Sequence, residues 1–240
     1  MRFEVFDALD STNEEAKRRA QQGETGPLWI IARAQTAGRG RRGRAWTSAE
    51  GNLFTTGLFQ LDASPARAAQ LSFAAALSVG DVAASVIGHD AVKLKWPNDV
   101  LVEGRKLAGI LLESGGYRDG GLWLAVGIGI NLAHHPDDAE RPATDLSVHG
   151  GVLTPEDAVE RLSARFEYWR MVWAGQGFAP VREAWLSRAW GLGDRCTARL
   201  EGETVEGVFA DLADDGSLRL DLNDGRRRLV SAGDVFFPGR

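Results

Sequence analysis

Seven consecutive residues combine four arginines with three glycines, a pattern that could hold a phosphorylated ligand. Residues 38–44 read GRGRRGR, with Gln35 before them and Trp46 after them. Arginine side chains pair with phosphate oxygens, and glycine lets backbone N–H groups approach the same anion. Because four like charges repel one another on a glycine-rich backbone, we expect the loop to be mobile alone and to order around a polyanion.

Composition leaves two other interpretations of this loop open. An arginine–glycine stretch can bind RNA without sequence preference, and an arginine run can be a solvated face. Position favours the phosphate interpretation, because the loop lies between two predicted buried strands, whereas RNA-binding arginine tracts usually lie in tails. The RNA interpretation predicts an affinity that falls steeply with salt and is unaffected by small ligands.

Three short polar residues, Ser11, Thr12 and Asn13, precede a helix-forming stretch. Ser11 and Glu14 have the spacing of a capping box, so a structural role for Ser11 comes first. Unpaired N–H groups and hydroxyls at a helix start also suit a small polar head group, and the Gln35 amide can both donate and accept.

Lys106 begins an alternating run, KLAGILLES, and could carry a catalytic charge. A lysine in a half-buried strand is more often an exposed cross-strand residue, so the residues alone favour that role. Gly109 would let a ligand lie against the strand without meeting a Cβ. A proline turn is the ordinary interpretation of KWPND at 95–99, and tight strand packing is that of GIGIN at 127–131.

These motifs occur in the order and spacing found in biotin–protein ligases. The shared segments are STN at 11–13, GRGRRGR at 38–44, KWPNDV at 95–100, RKLAGILLES at 105–114 and GIGINL at 127–132. The sequence therefore resembles that family over roughly residues 9–132, and its terminal β-rich module resembles the family's C-terminal domain.

The resemblance implies an enzyme that converts biotin and Mg-ATP into biotinyl-5′-AMP and then joins biotin to a lysine of a biotin carboxyl carrier protein. The implied biotin-binding residues are Ser11, Thr12, Asn13, Gln35, Arg39, Gly40, Arg41, Lys106 and Gly109. The implied ATP- and adenylate-binding residues are Arg39, Arg41, Arg44, Trp46, Asn98, Lys106 and Asn131. Lys106 and Arg41 are the implied catalytic residues. The four histidines show no metal-ligand spacing, so we expect Mg²⁺ to arrive with ATP and no protein-held metal site.

Two alternative functions compete with that of a biotin ligase. A lipoate or octanoate ligase shares the architecture and the adenylation chemistry, but the arginine loop, the STN motif and the C-terminal module favour biotin. A biotin-responsive transcription repressor would carry a helix-turn-helix domain ahead of Ser11, where this sequence has only residues 1–10. Together with a net charge of −5, this predicts a ligase without specific DNA binding.

Composition predicts a cytoplasmic enzyme. The hydrophobic fraction of 44% is that of an ordinary globular protein, and the single cysteine excludes an intramolecular disulfide. Neither a signal peptide nor an uninterrupted apolar run of about 20 residues is present, so we expect no membrane partner. A homodimer is implied by family analogy alone.

Periodicity and turn residues predict the elements that position these side chains. The expected helices are 13–21, 65–86, 155–173 and 180–190, and the expected strands are 28–36, 52–61, 92–96, 105–113 and 121–132. Asp215-Gly216 and Asp224-Gly225 predict hairpins in a small β-barrel. The expected fold is α+β: a class II synthetase-like catalytic domain with a mixed, largely antiparallel sheet over 1–190, then an SH3-like β-barrel over 191–240.

Overall fold

A seven-stranded mixed sheet forms the frame of the N-terminal part of the chain in the computed structural model, which describes residues 1–118, 120–137 and 142–238. Its strands are β1 (Arg2–Leu9), β2 (Leu28–Gln35), β3 (Leu53–Leu61), β4 (Val92–Lys95), β5 (Asp99–Val102), β6 (Arg105–Gly116) and β7 (Leu122–Ile130). The order across the sheet is β1-β2-β3-β7-β6-β5-β4. Strands β1 and β2 pair in parallel, and the other neighbours pair antiparallel, which confirms the predicted mixed, largely antiparallel sheet.

Within the described residues, five α-helices accompany this sheet: α1 (Thr12–Gln21), α2 (Pro65–Ala69), α3 (Leu71–Ile87), α4 (Pro155–Gln176) and α5 (Phe178–Leu186). Helix α3 is apolar on nearly all sides because it is covered by the sheet, α4 and α5. The segment Pro65–Ile87 is long and apolar enough to cross a membrane by length and composition. In this fold 67% of that apolar window is buried, as in the core helix of a globular domain.

A second, antiparallel sheet follows the last helix. Its strands are β8 (Arg195–Arg199), β9 (Thr204–Leu212), β10 (Leu218–Asp221), β11 (Arg227–Val230) and β12 (Asp234–Phe236), in the order β11-β10-β9-β8-β12. Gly216 and Gly225 have positive φ in the two predicted hairpin turns. The Trp96 indole donates to the backbone oxygen of Gly216 over 3.1 Å, so the two sheets contact each other. A division into two domains between residues 190 and 191 stays a prediction.

Several predicted elements differ from the observed ones at their limits. The helix expected over 65–86 is interrupted at Gln70, where α2 ends and α3 begins. The last predicted helix, 180–190, starts earlier and ends at Leu186. Strands β1 and β5 were not predicted. Strand β5 has only four residues, too few to show a period, and β1 lies exposed at the sheet edge.

Candidate active site

One cavity of about 400 Å³ lies where α1, the arginine loop and strands β5, β6 and β7 meet. Every residue named from the sequence as biotin- or nucleotide-binding lines it: Ser11, Thr12, Asn13, Gln35, Arg39, Gly40, Arg41, Arg44, Trp46, Asn98, Lys106, Gly109 and Asn131. These residues come from segments far apart in the chain, so the sheet topology brings together what the sequence separates.

One end of the cavity is lined by the uncharged polar side chains of Ser11, Thr12, Asn13 and Gln35. The Thr12 backbone N–H donates to Gln35 Oε1 over 2.9 Å, and the Thr12 hydroxyl lies 3.3 Å from the same oxygen. Beneath them Thr56, which is fully buried, places its hydroxyl 2.8 Å from Thr12 Oγ1 and 2.7 Å from Asn13 Oδ1. The Asn13 amide donates to Glu113 over 2.7 Å. These bonds fix the orientation of each amide and hydroxyl at this end.

The predicted capping box between Ser11 and Glu14 is wrong. Ser11 has the extended backbone of an N-cap, but its side chain makes no capping hydrogen bond. Its backbone N–H donates to Asp10 over 2.7 Å. The Glu14 carboxylate instead pairs with Arg39, which also lies 3.6 Å from Glu113. Glu14 is therefore used to hold an arginine of the loop.

The other end of the cavity is cationic. Lys106 Nζ lies 2.6 Å from Oδ1 of Asp99, a carboxylate that is 3% exposed. The Trp46 ring lies over this ammonium, with its centroid 5.4 Å from Nζ. Gly109 and Gly129 face each other across β6 and β7, and a Cβ on Gly129 would come within 2.5 Å of the indole. The Trp46 ring therefore packs directly against the backbone of these two glycines.

The arginine loop closes into a narrow hairpin at the edge of the cavity. The Gly40 N–H donates to the Arg44 carbonyl over 2.7 Å, and the Trp46 N–H donates to Gly38 over 2.9 Å. Between them a 3₁₀ turn carries Arg42 at φ +56°, a left-handed conformation. Mobility of this loop without ligand stays a prediction.

The second sheet reaches the loop through β12. Arg44 donates to the two carboxylate oxygens of Asp234 over 2.9 and 3.1 Å. Arg41 donates to Asn98 Oδ1 over 3.4 Å and to the Gly233 carbonyl over 3.2 Å. Burial lowers the pKa of Arg41, and the nearby carboxylate of Asp234 opposes that shift. The guanidinium nevertheless stays charged at neutral pH.

Two asparagines line the cavity and also hydrogen-bond the backbone around it. Asn98 donates to the Ile110 carbonyl over 2.6 Å, and Asn131, which is 4% exposed, donates to the Thr144 carbonyl over 3.0 Å. Each amide therefore has a structural hydrogen bond as well as a place in the cavity lining.

Four polar residues of the site were missed in the sequence: Thr56, Asp99, Glu113 and Asp234. Thr56 and Glu113 lie inside the strands β3 and β6, where the sequence gives no sign of a distant partner. Asp99 reads as part of a proline turn, and Asp234 lies more than a hundred residues from the loop it contacts. Only the tertiary fold brings these residues to their partners.

Comparison with known proteins agrees with this arrangement. Residues 5–131 match the profile of the biotin/lipoate A/B protein ligase family, and residues 191–237 match the biotin protein ligase C terminal domain. A biotin–[acetyl-CoA-carboxylase] ligase from Paracoccus denitrificans is 42% identical over 237 residues, covering 96% of this chain and 98% of the relative. The chain belongs to the biotin protein ligase family.

Other members extend the comparison in sequence and in structure. The bifunctional ligase/repressor BirA of Bacillus subtilis is 33% identical over 94% of this chain and 71% of its own length. The biotin protein ligase of Aquifex aeolicus in complex with biotin and ATP has the same fold, with a TM-score of 0.82 at 24% identity over 98% of this chain and 99% of that one. The Leishmania major ligase in complex with biotinyl-5-AMP gives 0.68 at 26% identity over 96% and 99%.

Proposed function

We propose that this protein is an ATP-dependent biotin–protein ligase that forms biotinyl-5′-AMP and transfers biotin to a lysine of a biotin carboxyl carrier protein. The observation that carries the proposal is the division of one cavity into a neutral polar end and a cationic end. A ureido ring with a carboxylate tail needs hydrogen-bond partners at one end and positive charge at the other. Named relatives that join biotin to acetyl-CoA carboxylase support the same function.

The first step joins two anions, and the cationic end lowers their repulsion. A carboxylate oxygen of biotin attacks the α-phosphorus of ATP, the bond from that phosphorus to the bridging oxygen breaks, and pyrophosphate leaves. Lys106 is assigned to the carboxylate and the α-phosphate, and Arg41 and Arg39 are assigned to share the work of neutralising the phosphate. Fixed positive groups stabilise the charge that develops on the phosphate oxygens. Asp99 holds the Lys106 ammonium in place before substrates arrive.

Magnesium fits this site as an ion that enters with ATP. Such ions are usually held by substrate phosphates and one or two carboxylates, and Asp99 and Asp234 are the carboxylates lining the cavity among the described residues. Bound Mg²⁺ would neutralise charge on the phosphates. The chain's own residues then orient the nucleotide and exclude water.

The second step requires that the mixed anhydride survive until an acceptor arrives. The acceptor amine attacks the acyl carbon, an amide forms, AMP leaves and the amine proton passes to solvent. Water competes for the same carbon, so the arginine loop and Trp46 are assigned to cover the intermediate. The half-buried position of Arg41 and the packing of Trp46 against Gly109 and Gly129 support this assignment.

Biotin is favoured over lipoate by the polar end of the cavity. A dithiolane ring has no strong hydrogen-bond donor, so it would leave the groups around Thr12, Asn13 and Gln35 without partners. We expect biotin to support ATP–pyrophosphate exchange, and excess lipoate or octanoate neither to support exchange nor to compete. Exchange that is driven by lipoate and not by biotin would replace this proposal with the lipoate alternative.

The cellular setting follows from the proposed chemistry. We place the enzyme in the cytoplasm, because ATP and a carrier protein awaiting its cofactor are found there together. The single cysteine, Cys196, is buried, and burial raises its pKa to about 11, so the thiol is not available for disulfide formation. A homodimer stays a prediction, to be tested by sedimentation.

A further inference from the structure

Asn52 lies outside the cavity, but its side chain hydrogen-bonds the backbone of the segment that follows β7. Its Oδ1 accepts three successive backbone N–H groups, from Leu132 over 2.9 Å, Ala133 over 3.0 Å and His134 over 3.1 Å. Its amide nitrogen donates to the His134 carbonyl over 2.8 Å. Asn52 is 4% exposed, so these four bonds satisfy a buried amide and fix three residues of irregular backbone.

A second anchor follows directly along the chain. His135 Nδ1 lies 2.6 Å from Oδ2 of Asp145, and Asp145 is 3% exposed. The other carboxylate oxygen of Asp145 accepts from the Ser147 hydroxyl over 2.5 Å and from the Val148 N–H over 3.1 Å. These bonds lower the pKa of Asp145 despite its burial, so the carboxylate is ionised at neutral pH.

The two anchors border residues that line the active cavity. Pro136 follows His135 directly, and Ala143 comes shortly before Asp145; both line the cavity. The segment around Ala143 is bonded to the backbone of Lys106, which donates to the Pro142 carbonyl over 2.8 Å and accepts from Thr144 over 2.9 Å. We call residues 131–136 and 142–144 the cavity wall. It flanks the cationic end, where Lys106 and Asn131 lie.

We propose that Asn52 and the His135–Asp145 pair are positioning residues for the nucleotide: they hold the cavity wall against Lys106 and thereby set the affinity for ATP. The inference deepens the proposed function and rests on it for the assignment of ATP to the cationic end. Neither Asn52 nor His135 touches the cavity, so any effect on the nucleotide must pass through the wall. The affinity for biotin, whose ring is assigned to the opposite end, should be unaffected.

The test compares two pairs of matched variants. Asn52→Ala removes the acceptor of three N–H groups, whereas Asn52→Asp keeps an acceptor oxygen at that place but replaces the donated bond by a contact between a carboxylate oxygen and the His134 carbonyl. His135→Ala removes the bond that joins the cavity wall to Asp145. Ser147→Ala removes a different partner of the same carboxylate, an exposed hydroxyl that is not part of the wall. Calorimetry then measures binding of α,β-methylene-ATP with Mg²⁺; this analogue cannot transfer its AMP group to biotin, because the bridge from the α-phosphorus is carbon and does not leave. The exchange assay gives KM for ATP and for biotin.

Asn52→Ala and His135→Ala should weaken nucleotide binding by about 3-fold to 30-fold, the effect of losing one or two hydrogen bonds. Ser147→Ala should stay within about twofold, and Asn52→Asp should fall between wild type and Asn52→Ala, because it keeps the oxygen that accepts the three N–H groups. KM for biotin should be unchanged in all four variants, because their contacts are local. A melting curve is recorded for each variant to show that it is folded. If Asn52→Ala proves to be unfolded, the nucleotide affinity of His135→Ala tests the inference, because the His135 side chain is partly exposed.

Equal nucleotide affinity in wild type, Asn52→Ala and His135→Ala overturns the inference, as does an equal rise in KM for ATP and for biotin. A wild type that binds the analogue but forms no biotinyl-5′-AMP contradicts the proposed function and leaves the anchoring inference standing. A wild type that binds no nucleotide contradicts both.

Discussion

Lys106 shows how a residue's role depends on its neighbours. In the sequence it is one lysine in an alternating strand, but in the fold its ammonium lies beside a buried carboxylate and beneath an indole. We expect Lys106→Gln to slow biotinyl-5′-AMP formation by about 100-fold or more, because a charge aimed at the developing phosphate charge is lost. The amide can still hydrogen-bond Asp99, so folding should persist.

The matched control for this change is Lys93→Gln on β4, outside the cavity lining. Adenylate formation is measured by pyrophosphate release in a single turnover. Equal rates for Lys106→Gln and Lys93→Gln would show that Lys106 has no catalytic role.

Arg41 differs from its neighbour Arg42 in burial. Arg41 lines the cavity and reaches Asn98, whereas Arg42 is exposed and lies at a left-handed position that suits glycine. We expect Arg41→Gly to let biotinyl-5′-AMP escape, so that lysines of added bystander protein become biotinylated. Arg42→Gly should retain the adenylate as the parent does. Equal bystander labelling by both variants, seen on a streptavidin blot, would contradict the role assigned to Arg41.

At the scale of elements, strand β7 is shaped to admit helix α1. A Cβ on Gly127 would lie 2.0 Å from Asn13 Oδ1, whereas Gly175 in α4 has no neighbour within 4 Å of its Cβ position. We expect Gly127→Ala to displace Asn13 and raise KM for biotin about tenfold or more, since at least one hydrogen bond at the polar end is lost.

Gly175→Ala is the control, and it should raise stability by up to about 1 kcal/mol through helix propensity. Thermal melting measures the stability of the two variants, and steady-state kinetics measure their KM for biotin. Together they distinguish a loss of packing from a loss of contact with biotin. An unchanged KM for biotin in a folded Gly127→Ala protein would show that Asn13 does not help to bind biotin.

The elements that the sequence predicts well are those whose pattern is local. Glycine and arginine types mark the loop, and proline with a capping serine or threonine marks the starts of α2 and α4. Strand β1 escaped prediction because its place is decided by parallel pairing with β2 across the intervening helix. The predicted capping box at Ser11 is also wrong because of a distant contact: Glu14 binds Arg39 of the arginine loop instead of capping the helix.

At the scale of the molecule, the second sheet contributes Asp234 to the lining of the candidate active site. Asp234 at the start of β12 holds Arg44, and Gly233 holds Arg41. No spacing in the sequence joins residue 234 to residues 41–44, so this contact was not predictable without the fold. We expect Asp234→Asn to loosen the loop and raise KM for ATP by about 3-fold to 10-fold, because charge-assisted hydrogen bonds to Arg44 are lost.

This prediction is checked by the salt dependence of KM for ATP. The difference between Asp234→Asn and wild type should narrow at about 1 M salt, where ion pairs near the surface are screened. Asp224→Asn, on an exposed turn of the same sheet, is the control. If KM for ATP of Asp234→Asn equals that of wild type at low salt, the second sheet does not position the loop.

The most direct test of the proposed ligase is incubation of the protein with biotin and Mg-ATP in the absence of any acceptor. We predict that biotinyl-5′-AMP forms in an amount equal to the enzyme and remains bound through gel filtration, because the loop and Trp46 cover it. Adding a biotin carboxyl carrier protein should then discharge it onto one lysine. If mass spectrometry finds no biotinyl-5′-AMP at saturating biotin and ATP, the protein is not a biotin ligase.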